Sequence, residues 1–188
     1  MKETGLSKIL RSKSTVFNFK DISLLWAETD RNLIKRRINY YVKTGKLYSI
    51  RKGLYAKDKN YNKFELATKI YIPSYISFET VLGQAGVIFQ FYPQIFVASY
   101  LTREIEIEGQ KYSFRKVKDT ILTNHTGLEF KETYWIASPE RAFLDLLYLN
   151  KNYHFDNLDP LNKEKIFEIL PIYKNKALEK RVKEIYGT

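Results

Sequence analysis

The sequence contains no cysteine, and this absence removes several classes of protein at once. Disulfide-stapled secreted folds, cysteine-ligated zinc sites and thiol catalysis all require the missing side chain. The two histidines, His125 and His154, have no partner at metal-ligand spacing, so no metal site is expected. A phosphate-binding loop of the G-x-x-x-x-G-K type is also missing, and no cofactor is predicted.

Long apolar runs are absent as well. No stretch approaches the roughly 18 uncharged apolar residues that span a bilayer. The start of the chain, M-K-E-T-G-L-S-K-I-L-R-S-K-S, lacks the continuous apolar core of a signal peptide. Together with the lack of cysteine, these features predict a cytoplasmic protein without a membrane partner.

Positive charge is present and is unevenly distributed. Residues 1–60 hold 15 lysines and arginines against 5 acidic residues, whereas residues 61–188 hold 17 against 16. The net charges are therefore +10 and +1. This asymmetry indicates a dedicated polyanion-binding module joined to a nearly neutral one. Residues 57–63 contain no aliphatic side chain and mark the predicted boundary between domains 1–60 and 61–188.

One predicted helix, residues 30–44, organises the basic module. Its apolar side chains fall on one side at helical spacing, with Thr29 or Asp30 as the cap and Gly45 as the stop. The opposite side bears cations and amides, which pair with phosphates and with guanine and adenine edges in a major groove. The alternative is an ordinary surface helix whose charges are only solvated.

Two short strand-like pieces, residues 47–50 and 53–56, follow this helix and predict a hairpin with a basic tip. A support helix at residues 20–27 precedes it, with Trp26 predicted in the core. This order is the layout of a winged helix-turn-helix. The predicted DNA-binding residues, from the helix and the hairpin tip, are Arg31, Asn32, Lys35, Arg36, Asn39, Tyr40, Lys43, Arg51 and Lys52. Arg37 lies between the two faces, where internal pairing is the alternative to DNA contact.

The second half of the sequence predicts a small α/β domain with a mainly antiparallel sheet flanked by helices, so the whole chain is predicted to be α+β. The predicted helices are residues 64–70, 78–84 with Ser77 as cap, 139–149 with Ser138 as cap, 162–170 and 174–186. The predicted strands are residues 75–76, 96–100, 103–107, 110–116 and 133–137.

Four charged residues in this half invite an enzymatic interpretation: Glu79, Glu140, Arg141 and Asp145. Glu140 suits the positive end of a helix, and Arg141 with Asp145 forms an i, i+4 pair. A nuclease tethered by the basic module would need clustered carboxylates with a lysine, and no persuasive set is present. No catalytic residue is predicted, and the protein is not expected to be an enzyme.

Several segments together resemble the AbiEi family of antitoxins. Two segments are similar to the part of that family's sequence that runs from the helix into the wing. They are K-T-G-K-L, at Lys43 to Leu47, and R-K-G-L-Y, at Arg51 to Tyr55. More specific are Y-I-S-F-E-T-V-L-G-Q-A-G-V-I, from Tyr75 to Ile88, and A-S-P-E-R-A-F-L-D-L-L-Y-L, from Ala137 to Leu149. The resemblance extends over most of the chain.

The resemblance implies an antitoxin of a type IV toxin-antitoxin, or abortive phage infection, system. It implies an N-terminal winged helix that binds inverted repeats in its own promoter and a C-terminal domain needed for antitoxicity. The implied toxin is nucleotidyltransferase-like and is countered functionally, with a physical complex left open. The C-terminal half is trimmed relative to longer members. The alternatives are a stand-alone winged-helix repressor and an antitoxin that binds its toxin directly.

Overall fold

The structure, a computed structural model, describes residues 5–187 of the chain. The fold is α+β, as predicted, and the chain divides into two compact units, Met1–Ile70 and Tyr71–Thr188. No helix among the described residues is long and apolar enough to cross a membrane.

The described residues of the first unit form four helices and a three-stranded antiparallel sheet. The helices are α1 (Gly5–Arg11), α2 (Phe19–Trp26), α3 (Arg31–Lys43) and α4 (Lys63–Ile70), and the strands are β1 (Val16–Asn18), β2 (Tyr48–Arg51) and β3 (Leu54–Ala56). The strand order is β1-β3-β2, so β3 pairs with both of its neighbours. The predicted helices and the predicted hairpin agree with these elements to within one or two residues at each end.

Apolar residues of α1, α2 and α3 pack together in the hydrophobic core of this unit. Ile9, Ile22 and Ile34 are fully buried at its centre. Trp26 is 8% exposed, and its indole Nε1 donates a hydrogen bond to the Gly5 carbonyl oxygen at 2.7 Å. The prediction that Trp26 fills the core is therefore confirmed. Its one polar atom is satisfied, as buried tryptophan requires.

The unit boundary lies at Ile70 and Tyr71 rather than at the predicted position between residues 60 and 61. The reason is that α4 is bonded to the first unit. The buried Glu65 carboxylate accepts hydrogen bonds from Thr15 N (2.8 Å) and Thr15 Oγ1 (2.7 Å), and Lys69 pairs with Asp21 at 2.8 Å. These contacts join residues about fifty positions apart, which composition alone does not reveal.

The second unit contains a six-stranded sheet and five further α-helices. The strands are β4 (Ser74–Ile76), β5 (Ile95–Ser99), β6 (Arg103–Ile107), β7 (Gln110–Lys116), β8 (Leu128–Lys131) and β9 (Tyr134–Ala137). The helices are α5 (Glu79–Gln84), α6 (Asp119–Leu122), α7 (Pro139–Leu149), α8 (Lys163–Ile169) and α9 (Lys176–Tyr186), with a 3-10 turn at Leu170–Tyr173. Strand β8 and helix α6, each four residues long, were not predicted.

The sheet of the second unit is mixed: three of its five strand pairings are antiparallel, in line with the prediction of a mainly antiparallel sheet, and two are parallel, which was not predicted. Its strand order is β6-β7-β5-β4-β9-β8. The hairpins β6–β7 and β8–β9 are antiparallel, as is β4–β5, but β4–β9 and β5–β7 are parallel. Hairpins are visible as local sequence signals, whereas parallel partners are joined by longer connections and leave no such signal.

The predicted cap of α5 is wrong, whereas that of α7 is confirmed. Ser138 Oγ accepts a hydrogen bond from Arg141 N at 3.2 Å. Ser77 does not cap α5, because the N-cap residue is Phe78, at φ +56°, with no side-chain cap. The Ser77 hydroxyl instead donates to Asp145 Oδ2 at 2.8 Å. The Ser77 hydroxyl, which the local sequence predicts to cap the helix, is therefore bonded to a buried carboxylate instead.

Gly127 is expected to be the most sensitive glycine of the second unit. It has φ +74°, and an added Cβ would lie 2.7 Å from Ile169 Cδ1 and 3.0 Å from Arg141 Cβ. Gly109 has a similar φ of +78° but open space around it. Because Gly127→Ala adds a steric clash to backbone strain, it should cost about 2–4 kcal/mol, against about 1–2 for Gly109→Ala. Urea unfolding measures both, and equal losses would contradict this packing.

Candidate nucleic-acid interface

Helix α3 is capped at its start and stopped at its end. Asp30 Oδ1 accepts hydrogen bonds from the main-chain N–H groups of Asn32 (2.8 Å) and Leu33 (3.2 Å). Of the two predicted caps, Asp30 rather than Thr29 is therefore used. Gly45, at φ +67°, follows the last turn in the left-handed conformation that favours glycine.

The inner face of α3 packs into the core of the first unit, as predicted. Ile34 is 0% exposed and Ile38 is 1% exposed, while Tyr41 and Val42 are partly buried. The Tyr41 ring meets the Trp26 ring edge-on, with centroids 6.0 Å apart. This packing determines which side of the helix faces solvent.

The outer face of α3 is exposed and carries the predicted residues. At 100° per residue, Asn32, Arg36, Asn39 and Lys43 fall within a band of about 60° directly opposite the buried side. Helix α3 itself contains no acidic residue. The residues predicted to bind DNA, all of which are exposed, are Arg31, Asn32, Lys35, Arg36, Asn39, Tyr40, Lys43, Arg51 and Lys52. Within residues 5–187, no ion pair involves any of the nine.

Lys35 lies at one margin of this face, whereas Arg31, the first residue of α3, falls at the azimuth of Ile38 and Val42. The Arg31 guanidinium carbon is 5.5 Å from the ring centre of Phe19, the first residue of α2. Such a cation–π contact restrains the side chain while leaving its donors accessible. At the start of the helix, a restrained cation is suited to a phosphate rather than to a base edge.

The hairpin after α3 brings two cations to its tip. Arg51 ends β2 and Lys52 begins the turn, and both are exposed. Gly53 completes the turn at φ +84°. The hairpin is anchored at its base, because β3 also pairs with β1. The basic tip therefore projects from a sheet that belongs to the same core as α3.

One further cation belongs to this surface and was not predicted. Lys46 is exposed, and its Nζ lies 5.8 Å from the ring centre of Tyr40. It follows the end of the helix, so the helical pattern does not include it, although it is part of the K-T-G-K-L segment. Arg37 is exposed, and no ion pair involves it in the described chain, so the internal pairing considered for it is not observed.

The dimensions and chemistry of the face suit a duplex groove. From Asn32 to Lys43 the helix rises roughly 16 Å, at 1.5 Å per residue. A B-form major groove is about 12 Å wide and accepts one α-helix. Arg36 offers the fork that pairs with guanine, and Asn32 and Asn39 offer the amides that pair with adenine. The flanking cations can neutralise phosphates on either side.

The Arg141–Asp145 pair, predicted from its i, i+4 spacing, is confirmed, but it belongs to a larger buried network. Asp145 accepts hydrogen bonds from Tyr173 Oη (2.7 Å), Ser77 Oγ (2.8 Å), Tyr75 Oη (2.9 Å) and Arg141 Nε (3.3 Å). The side chains of Arg141 and Asp145 are both 0% exposed. A general acid or base has to reach its substrate, and these groups have no exposed surface in this structure.

The charges of this network are neutralised internally. Arg141 donates from Nη1 to the Thr126 carbonyl oxygen (2.7 Å) and from Nη2 to that of Ile121 (2.8 Å). Burial by itself lowers the pKa of Arg141, but the nearby negative charge of Asp145 raises it above its ordinary value. Burial, followed by the charge of Asp145, raises the pKa of Tyr75 and Tyr173 well above the usual phenol value. Arg141 and both tyrosines therefore stay protonated at neutral pH.

Glu79 and Glu140, the other two carboxylates among the four charged residues considered for catalysis, also have protein partners. Glu79 receives a two-pronged bond from Arg115, with both N–O distances 2.8 Å. Glu140 Oε1 accepts a hydrogen bond from Asn162 N at 3.2 Å. Within residues 5–187, no group of three or more histidine, aspartate or glutamate side chains is arranged to hold a metal ion. The four charged residues singled out in the second half are thus bonded to other groups of the protein, whereas the basic face of α3 and its hairpin tip are exposed and carry no ion pair within residues 5–187.

Comparison of the sequence with models of protein families, and with curated proteins, gave no match.

Proposed function

We propose that the first unit is a winged helix-turn-helix that binds duplex DNA. In this proposal, α3 lies in the major groove and the tip of the β2–β3 hairpin contacts the neighbouring phosphates. The observation that carries the proposal is the outer face of α3, where exposed cations and amides recur at helical spacing opposite the buried Ile34 and Ile38. A helix whose charges were merely solvated would have no reason to exclude acidic residues from its whole length.

The arrangement around α3 supports the same proposal. Helix α2 and helix α3 are separated only by residues 27–30, as a helix-turn-helix requires. The hairpin follows α3 directly and is anchored by β1. The net charge of +10 in residues 1–60 supplies a long-range attraction for a polyanion.

The proposed biological role is that of an antitoxin which represses its own operon. It rests on the resemblance of Tyr75 to Ile88 and of Ala137 to Leu149 to the AbiEi antitoxins, together with the basic module ahead of them. The proposed partners are promoter DNA with inverted repeats and a nucleotidyltransferase-like toxin. No catalytic role is proposed for Glu79, Glu140, Arg141 or Asp145, since each is hydrogen-bonded to other groups of the protein.

Fluorescence anisotropy with two duplexes tests the proposal. One duplex carries the inverted repeat upstream of the gene, and the other has the same composition in scrambled order. Nanomolar binding to the first is expected, about 10³-fold tighter than to the second. If six to eight phosphates are engaged, the log-log salt slope should be roughly −5 to −7. Equal affinity for both duplexes would exclude a promoter-specific repressor.

The antitoxin role has a separate test. A nucleotidyltransferase-like gene next to this one, when induced alone, should arrest growth, and co-expression of the full chain should restore it. Failure of co-expression to restore growth would exclude the antitoxin role while leaving the repressor intact. Co-expression of a variant with Lys35, Arg36 and Lys43 replaced by glutamine, which should bind DNA much more weakly, separates neutralisation of the toxin from repression.

A further inference from the structure

The sheet of the second unit has two terminal strands, β6 and β8. A terminal strand presents a row of main-chain N–H and C=O groups to one side and can accept another strand there. Three of the four residues of β8 are exposed, and β9 is its only strand neighbour in the described chain. The Phe130 ring is 55% exposed.

The register of the β8–β9 hairpin determines which groups face outward. Lys131 of β8 and Tyr134 of β9 face each other across the two-residue turn and form a hydrogen-bonded pair. Because such pairs alternate along an antiparallel ladder, Glu129 and Ile136 form the next one. The bond from Ser138 N to the Gly127 carbonyl oxygen, 2.8 Å, continues that alternation. The main-chain groups of Phe130 therefore point away from β9, toward the open edge.

A second copy of this strand, placed antiparallel about a two-fold axis at Phe130, would be complementary in charge. Glu129 of one chain would stand opposite Lys131 of the other, and the reverse, on the same face of the sheet. Glu129 and Lys131 already lie together within one strand, with a 2.5 Å ion pair. The two strands would form a ring of four alternating charges.

The aromatic side chains on the opposite face are also arranged to continue across such an axis. The rings of His125 and Trp135 are stacked with centroids 4.5 Å apart, and Phe130 lies 5.1 Å from Trp135. The row ends in the exposed Phe130 at the edge of the sheet. In the two-fold arrangement the two Phe130 rings would meet, which would cover apolar surface and extend both rows.

Strand β6, the other edge, differs in this respect. Its sequence is R-E-I-E-I, with glutamates at positions 104 and 106. A two-fold axis at residue 104 or at residue 106 sets a glutamate against its own copy, and an axis at residue 105 sets Glu104 against Glu106. Like charges directly opposite are destabilising in a sheet. Axes centred on this edge therefore repel a second copy, whereas β8 attracts one.

We infer that this protein self-associates through antiparallel pairing of β8 with β8 of a second copy, about a two-fold axis at Phe130. The inference stands on the second unit and does not rest on DNA binding. It also has a consequence for DNA binding, because a two-fold dimer carries two copies of α3, one for each half of an inverted repeat.

Charge exchange on β8 tests the inference without DNA. Sedimentation velocity of the full chain from about 10 µM to 1 mM covers the range expected for an interface smaller than the usual ~1,600 Å². The wild type should dimerise, and Glu129→Lys or Lys131→Glu alone should weaken the dimer about tenfold or more. An equal mixture of the two variants should associate again, because a strand with two lysines then faces one with two glutamates.

The matched control is Lys176→Glu, an equal charge change on the exposed surface of α9. It should leave self-association unchanged. A wild type that remains monomeric over the whole range would overturn the inference. So would β8 variants that dimerise as tightly as the wild type, since the interface would then lie elsewhere. A mixture that stays monomeric while the wild type dimerises would overturn the Phe130 register.

Discussion

Replacing Lys35, Arg36 and Lys43 together with glutamine is expected to weaken promoter binding about a hundredfold near 0.15 M salt. Each of these side chains is exposed, and none is in an ion pair within residues 5–187. If each neutralises one phosphate, the triple variant loses three released counterions, and the log-log salt slope becomes shallower by about 3. Fluorescence anisotropy across a salt series measures both quantities on one sample.

A loss of affinity alone would not identify the surface, so the control has to carry the same charge change. Lys176, Lys180 and Lys183 are exposed lysines of α9 in the second unit, and their triple glutamine variant has the same net charge as the first. That control is expected to keep nearly the wild-type salt slope. Circular dichroism should show both variants folded, because exposed substitutions change stability by roughly 0.5 kcal/mol or less each, and the one ion pair that is lost, Lys180–Glu184 at 3.8 Å, is itself exposed. Wild-type affinity in the α3 variant would contradict the proposed interface.

Replacing Arg141 with methionine is expected to destabilise the second unit by about 3–5 kcal/mol. The substitution removes the cation that balances Asp145 and the Nη1 donor of the Thr126 carbonyl oxygen, while the Ile121 carbonyl oxygen loses Arg141 Nη2 but keeps Asn124 N at 3.1 Å. An unbalanced buried carboxylate is costly, and the loss of a charged donor to a carbonyl oxygen adds to that cost. Urea unfolding of the full chain, followed by fluorescence and circular dichroism, measures the loss.

Two further variants separate the charge from the packing in that experiment. Arg103→Met, on the exposed edge strand β6, removes an arginine of no comparable burial and should change the free energy of unfolding by less than about 1 kcal/mol. Arg141→Met combined with Asp145→Leu should be less destabilised than Arg141→Met alone, because no buried charge remains. If Arg141→Met costs as little as Arg103→Met, the network is not a stabilising element of this fold.

Local sequence signals predicted the basic face of α3 and its hairpin well. The apolar spacing of Ile34 and Ile38 determines which side of α3 is buried, and the cations and amides on the opposite side are then exposed. Asp30 and Gly45 mark the ends for reasons that lie within a few residues of each. Lys46 was not among the predicted DNA-binding residues because it follows the end of the helix. The turn of the chain after α3 brings it to Tyr40, and a turn has no periodicity from which this contact could be predicted.

The buried network shows where such signals fail. The i, i+4 spacing predicted the Arg141–Asp145 pair but not its burial, because the groups that enclose it come from distant parts of the chain. Tyr75 lies 70 residues before Asp145, and Tyr173 lies 28 residues after it. Ser77 has the local pattern of a helix cap, but it stands 68 residues from the carboxylate that takes its hydroxyl.

Composition, charge placement and apolar spacing by themselves determined the α+β class, most helices and strands, and the one helix face that combines cations with amides. Each of these depends on residues near one another in the chain, where spacing is a direct record of geometry. Only the tertiary structure decided the parallel pairings of the sheet, the attachment of α4 to the first unit and the burial of Arg141. Those features depend on contacts between side chains from distant segments of the chain. The free energy of such long-range contacts cannot be read from a local sequence pattern.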